Sequence, residues 1–204
     1  MSIAVINSGG ANLGSVIHAL NRLGVEGHLT RDADEIRSAS HVILPGVGAA
    51  GSAMRALHKA GLVEVIRSLT QPVLGICLGL QLLYDYSTEG ETECLGIIPG
   101  RVERLAGGKG LRLPHMGWNQ LRWEHEEELA RGLEGDEWFY FVHTYAAPVD
   151  HAAATATHGQ RFAAVVRRNN FAACQFHPEK SAGPGARILQ NFLDPSQRMN
   201  RCAT

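Results

Sequence analysis

Apolar and polar positions along the first half of the chain predict strands joined by helices. Residues 3–7 (IAVIN) are a short β-branched apolar run ending in SGGAN, after which Leu13, Val16, Ile17, Leu20 and Leu23 recur at helical spacing until Gly24. The pattern then repeats. HVILPG (41–46) reads as a second buried strand leading into a glycine-rich loop, followed by one helix carrying Met54, Leu57, Leu62, Val65, Ile66 and Leu69. PVLGI (72–76) reads as a third strand, with LGLQLLYDY as the helix after it. Strand, crossover helix and strand in repetition imply a parallel sheet with right-handed connections, which binds ligands at the carboxyl ends of its strands. All three glycine-rich loops should open on one rim.

The second half has a different rhythm. RVERL, LPHMGWNQLRW, WFYFVHTY, HAAATATHG, FAAVVRRNN and FAACQFH are short strand-like runs, and Asn169-Asn170 stands where a tight hairpin needs residues that tolerate the left-handed region. GARILQNFL returns to helical spacing, and the acidic run EHEEEL (124–129) reads as a solvated loop or helix start. The expected fold is α/β, a single domain over residues 1–204. It has a doubly wound, mostly parallel sheet with helices on both faces and a mixed or antiparallel extension.

Composition narrows the function. A chain of 204 residues, 45% hydrophobic and 19% charged, suits one well-buried domain. A net charge of -1 with no basic segment argues against nucleic acid and anionic membrane as partners. No run reaches the ~18 apolar residues of a spanning helix, and no basic segment follows Met1, so a soluble, unprocessed, cytosolic chain is expected. Cys77, Cys94, Cys174 and Cys202 lack CxxC or Cys/His ligand spacing, so reduced thiols are expected, with no metal and no disulfide framework.

One thiol stands apart. Cys77, in GICLG, falls between a buried strand and the first turn of a helix, the geometry of a nucleophile elbow, with Gly75 and Gly79 leaving room for a sharp turn. A helix N-terminus there lowers a thiol's pKa and offers N–H donors to an oxyanion. Burial as a small hydrophobe is the other reading. A base is available in QFHPEKS (175–181), where the strand period of two sets His177 and Glu179 on one face and Pro178 stiffens the link. Glu179 would hold one imidazole nitrogen while the other faces the thiol. His-Pro-Glu alone is equally a surface turn; the pair of motifs, each at a predicted strand end, raises the case for a site. In LPGVG (44–48), Gly46 and Gly48 let backbone N–H groups turn toward an oxyanion beside Cys77, although an ordinary βα turn has the same composition.

LPGVGAAGSAM, PVLGICLGLQLL, LPHMGWNQL, YFVHTY and QFHPEKS occur in an order and spacing that resemble the class I, triad-type glutamine amidotransferases. The Pro-Gly-Val-Gly and Pro-His-Met-Gly-Trp-Asn forms look like those of one branch, the glutaminase subunits of imidazole glycerol phosphate synthase in histidine biosynthesis. The similarity runs from about residue 3 to about 194. It implies a flavodoxin-like fold, and it implies Cys77 as nucleophile toward the glutamine amide, His177 as base and then acid, and Glu179 as orienter. Leu78 and Val47 would supply the oxyanion-hole N–H groups, and Gly46, Gly48 and Gln81 would contact the glutamine. The implied partner is a separate cyclase subunit with a (β/α)8 barrel, forming a heterodimer and receiving ammonia through its interior; no cofactor or metal is implied. Asn12, Trp118, Asn119, Tyr145 and Lys180 would lie on the docking rim, though HMGWNQL is also compatible with a packed strand holding Trp118 in the core.

Two departures are local. Asn7 and Ser8 stand where many members have an acid and an aromatic, and Ala146 follows Tyr145 where another aromatic is common. The rival readings are a stand-alone cysteine hydrolase on the same fold, a catalytically silent binding module, and a glutaminase component of another pathway.

Overall fold

The computed structural model describes residues 1–9, 13–108 and 110–194. In chain order the first half runs β1 (Ile3–Ile6), α1 (Leu13–Arg22), β2 (Gly27–Thr30), α2 (Ala33–Ser38), β3 (His41–Gly46), α3 (Ala50–Lys59), α4 (Leu62–Arg67), β4 (Val73–Cys77) and α5 (Leu78–Leu82). Then follow β5 (Tyr84–Ser87), β6 (Thr92–Glu93), β7 (Ile98–Arg104), β8 (His115–Gln120), β9 (Arg122–Trp123), β10 (Trp138–His143) and β11 (Tyr145–Ala146). The chain closes with β12 (Ala152–His158), β13 (Gln160–Arg168), β14 (Phe171–Cys174) and α6 (Ala182–Leu193).

The main sheet has the order β2-β1-β3-β4-β14-β13-β12-β9. Its first five strands are parallel and the pairs beyond β14 are antiparallel. Strands β1, β3 and β4 are buried along their whole length, as apolar runs in a parallel sheet covered on both faces must be. Period-two alternation sorts their side chains between two cores. Ala4, Ile6, Val42 and Leu44 pack with α2, α3, α4 and α5, whereas Ile3, Val5, Ile43, Leu74 and Ile76 pack with α1 and α6. The doubly wound sheet with an antiparallel extension is therefore present. Strands β1, β3 and β4 end on one rim, as parallel pairing requires.

Three local expectations change. The single helix expected after β3 is divided at Gly61, whose φ of +68° is left-handed, giving α3 and α4. The helix expected over LGLQLLYDY stops after five residues, because Leu82, Leu83 and Tyr84 give their carbonyls to Leu95, Ile97, Ile98 and Gly96, and the chain continues as β5 in a small sheet of order β11-β7-β5-β6. Strand β2, an edge strand reading GHLT, was not signalled by any apolar run. The acidic run also departs from a wholly solvated loop: Glu127 is buried and pairs with Arg167 of β13, and Leu129 is fully buried in the 3-10 turn Glu128–Ala130. As the Asn169-Asn170 pattern predicts, a two-residue turn joins β13 to β14, with Asn169 at φ +52°.

Candidate active site

The sequence GICLG forces an unusual backbone at the end of β4. Cys77 has φ 53° and ψ -105°, outside the usual regions for a residue with a side chain, and is both the last residue of β4 and the N-cap of α5. Close packing maintains the turn. A Cβ on residue 79 would stand 1.8 Å from Leu44 O, and one on residue 75 would stand 2.9 Å from both Ala173 Cβ and Gly79 O. Only glycine fits at either place. Cys77 Sγ is directed toward Val142 O at 3.8 Å and Gln175 Nε2 at 3.6 Å.

His177 arrives by a route different from the expected strand alternation. Strand β14 ends at Cys174, and Pro178–Lys180 form a 3-10 turn that folds Glu179 back so that its Oε1 lies 2.8 Å from His177 Nδ1. Both side chains are buried. The backbone is clamped as well: His177 N–H donates to Tyr140 O, Ser181 Oγ donates to His177 O, and Tyr140 N–H donates to Ser181 Oγ. His177 Nε2 is buried and has no acceptor at hydrogen-bond geometry, yet Cys77 is near enough to affect its titration. Burial disfavours the imidazolium, but interaction with Cys77 and Glu179 outweighs it and raises the His177 pKa to about 10. The ring therefore carries its proton at neutral pH. By contrast, burial lifts the Cys94 thiol to about 11 and the Cys174 thiol well above the ordinary range.

A cavity of about 300 Å³ opens beside the sulfur. Val47, Gly48, Cys77, Leu78 and Gln81 form one wall, and Val142, His143, Thr144 and Tyr145 form the other, with Glu89, Pro114 and His177 completing the lining. Gly46 lies outside this lining and packs on the elbow, where a Cβ would stand 2.9 Å from Leu78 Cβ. Leu78 opens α5, so its N–H has no acceptor within the helix. Both N–H groups of Gln81 are committed, to Tyr145 O at 2.8 Å and to Gln175 Oε1 at 3.1 Å. What Gln81 can offer a ligand is its carbonyl oxygen.

The residues expected on a docking rim divide. Trp118, half exposed, lies on the outer face of the ribbon made by β8 and β10, with Met116 and Trp138 also exposed, so it is not a core residue. Asn119 points the other way, as strand alternation requires, and donates to Thr157 O. Lys180 is exposed and shares a cleft with Trp118, and Tyr145 belongs to the cavity. Asn12 lies outside the described residues. Sequence reasoning missed Glu89, which lines the cavity while one carboxylate oxygen accepts from Ala50 N–H at 2.8 Å. It also missed Gln175, His143 and Ser181; Gln175 and Ser181 are the two ends of the QFHPEKS motif and His143 sits inside YFVHTY, whereas an acid in the turn TEGETE carries no local signal.

The family model described as glutamine amidotransferase class-I matches residues 4–195. The chain belongs to the class I glutamine amidotransferase family. Among curated relatives of this amidotransferase, imidazole glycerol phosphate synthase subunit HisH 2 of Legionella pneumophila (strain Paris) is 53% identical over 192 residues, covering 94% of this chain and 96% of the relative. Subunit HisH of Xanthomonas axonopodis pv. citri (strain 306) is 53% identical over 195 residues, covering 95% of this chain and 98% of the relative. The fold recurs in a crystal structure described as a glutamine amidotransferase, with TM-score 0.72, 22% identity and coverage of 94% of this chain and 96% of that one.

Proposed function

We propose that this amidotransferase is the glutaminase subunit of an imidazole glycerol phosphate synthase, hydrolysing L-glutamine to glutamate and ammonia for a cyclase partner. The observation that carries the chemistry is the meeting, in one cavity, of a cysteine on a strained strand-to-helix turn with a histidine whose far nitrogen is held by a buried carboxylate. Identity above 50% along almost the whole length of HisH relatives carries the pathway.

In this reading the Cys77 thiolate attacks the side-chain amide carbon of glutamine. Charge developing on the amide oxygen is met by the N–H groups of Leu78 and Val47. His177 passes its Nε2 proton to the departing nitrogen, the C–N bond breaks, and ammonia leaves behind a glutamyl thioester. His177, now neutral, takes a proton from water, whose oxygen adds to the thioester carbon; the C–S bond then breaks, which releases glutamate and restores the Cys77 thiolate beside the protonated His177. Glu179 keeps Nδ1 protonated throughout and stabilises the imidazolium. Glu89, at the cavity wall, is placed to pair with the α-ammonium of the substrate, and the Gln81 carbonyl accepts one of its N–H groups.

The cyclase barrel is proposed to dock on the outer face of the β8–β10 ribbon and beside Lys180, where Met116, Trp118 and Trp138 leave large apolar surface exposed. Reduced thiols fit a cytoplasmic setting. The deciding experiment measures glutamate and ammonia release by the chain alone and with the cyclase and its ribotide substrate, for the wild type and Cys77→Ala. Glutamine turnover that Cys77→Ala removes, with ammonia-dependent cyclase product retained, supports the proposal; loss of both activities means that the assembly, not the nucleophile, was damaged. Turnover that survives Cys77→Ala refutes it.

A further inference from the structure

A carbonyl oxygen can only accept hydrogen bonds, so the two donors around Tyr145 O fix the polarity of everything connected to them. One is Gln81 Nε2, at 2.8 Å. The same nitrogen reaches Gln175 Oε1 at 3.1 Å, which requires the Gln175 amide to present its oxygen there and its NH₂ to the opposite side. On that side stands Cys77 Sγ, 3.6 Å from Gln175 Nε2. Neither amide can flip without setting an oxygen against the Tyr145 carbonyl or an NH₂ against an NH₂.

The second donor locks the carbonyl itself. His143 Nδ1 lies 2.9 Å from Tyr145 O and so bears the proton, which makes His143 Nε2 an acceptor for His115 Nδ1 at 3.0 Å. Both rings are neutral in this arrangement. Burial and the neighbouring histidines hold their pKa values down, to about 3 for His143 and about 4 for His115. Gln175 is fully buried and Gln81 nearly so, leaving water little access to either amide.

We infer that Gln175 is a hydrogen-bond donor to the Cys77 thiolate, held in its donating orientation by Gln81 and the Tyr145 carbonyl. The inference rests on the triad reading and deepens it. His177 supplies the opposite charge from one side of the sulfur, and Gln175 supplies an uncharged donor from another that cannot transfer its proton. Such a donor favours the thiolate without quenching it. His143 acts at a further remove, as a positioning residue for the carbonyl.

The test reads the sulfur directly and does not need glutamine. The pH dependence of iodoacetamide alkylation is followed at Cys77 by peptide mass spectrometry, in wild type and in Gln175→Met, which keeps the side-chain length and removes the donor. Besides Cys77, the titratable groups around the site are His177, Glu179, His143, Cys174, Glu89 and Tyr145, all present in both proteins, and residue 175 adds none. The alkylation midpoint should rise by about one to two pH units, and kcat for glutamine should fall about ten- to a hundredfold with KM little changed, the range for losing a hydrogen bond to a charged group. A midpoint left in place, or a loss confined to KM, overturns the inference. Should Gln175→Met fail to fold, the wild type decides: in glutamine-labelled protein the Gln175 side-chain amide resonances should follow the Cys77 titration, and resonances that stay fixed overturn it. If the wild-type midpoint is that of an ordinary thiol, the triad reading falls too; a low wild-type midpoint that Gln175→Met leaves unchanged overturns the Gln175 role alone.

Discussion

The two walls of the cavity are held by different physics. On the elbow wall, Gly75 and Gly79 bring backbone against backbone so closely that no side chain fits, and the position of Cys77 follows from the parallel sheet itself. On the facing wall, the segment from Val142 to Tyr145 crosses from the β8–β10 ribbon to the small sheet, Val142 and His143 pairing with Met116 and His115 and Tyr145 with Arg104. Side-chain hydrogen bonds fix the crossing, His115 to His143 and then His143 and Gln81 to the Tyr145 carbonyl. Close packing has no soft direction, so the nucleophile cannot shift without disturbing the sheet. A hydrogen bond contributes about 1 kcal/mol net, so the side-chain bonds at this crossing can be rearranged by a change in protonation or by docking while the strand pairs on either side stay formed. The adjustable wall belongs to the ribbon whose outer face carries the exposed Met116, Trp118 and Trp138. A partner docked there would act on the wall that can respond.

The largest expected effect comes from breaking the rigid wall. Gly79→Ala would drive a Cβ to 1.8 Å from Leu44 O, a clash between backbone segments that no rotamer relieves. Loss of stability beyond ~4 kcal/mol is expected, read as failure to fold or a collapsed urea midpoint. Gly183→Ala is the control. That position is in α6 with nothing within 4 Å of the added carbon, so the change should be neutral or slightly stabilising. A Gly79→Ala protein as stable as wild type would show that the elbow is not the rigid member of the pair.

Next in size is Glu179→Gln, which keeps shape but removes the charge from His177. A fall in kcat of ~10² to 10⁴ is expected with the fold retained, by analogy with other orienting carboxylates. The pH profile of stability supplies a second readout. His177 has a folded pKa near 10, above its value in the unfolded chain, so its contribution is fully present below about pH 6.5 and is lost as pH rises toward 10. In Glu179→Gln that alkaline loss should shrink. An unchanged alkaline limb would mean that Glu179 does not support the imidazolium.

The facing wall should respond in the opposite direction of pH. His143 and His115 have folded pKa values of about 3 and 4, below the unfolded value, so the folded state binds fewer protons. Their contribution is present above about pH 6.5 and is lost as pH falls through the acid range, by up to about 1.4 kcal/mol per pH unit for each ring. His115→Phe removes one titrating ring from this pair and should reduce the acid slope of urea-measured stability by roughly one proton. A slope equal to wild type would show that these rings are not the neutral pair that the hydrogen bonds require.

How much of this was legible in the sequence differs between the two walls. The elbow was readable because close packing leaves a compositional trace, glycines on either side of a cysteine at a strand end. His177 and Glu179 were readable as a pair, but for a reason that the structure replaces: a 3-10 turn brings them together, not strand alternation. The facing wall was nearly invisible. His143 and His115 are 28 residues apart, and Gln175 and Cys77 are 98 apart, so no local pattern reports that they meet. Edge strand β2 escaped because four residues with two exposed side chains carry no apolar run. Helix α5 is shorter than its sequence pattern suggests because LLY satisfies a helical and a strand pattern equally, and the small sheet decides between them.

The smallest expected effect on stability tests what the outer face of the ribbon is for. Trp118 is half exposed, and its ring meets Tyr140 edge-on at 5.9 Å across the strand pair. Trp118→Ala should change the stability of the isolated chain by only about 1 kcal/mol, since half of the residue is already exposed and one aromatic pair is lost. Were the ring there only to cover the ribbon, nothing else would change. If it anchors a partner, the same substitution should weaken cyclase binding by ~2 kcal/mol or more, about thirtyfold in Kd, as buried aromatic anchors do. Isothermal titration of the cyclase into wild type and Trp118→Ala separates the two. Equal affinities would move the docking face off the ribbon and leave the adjustable wall without a partner to adjust it.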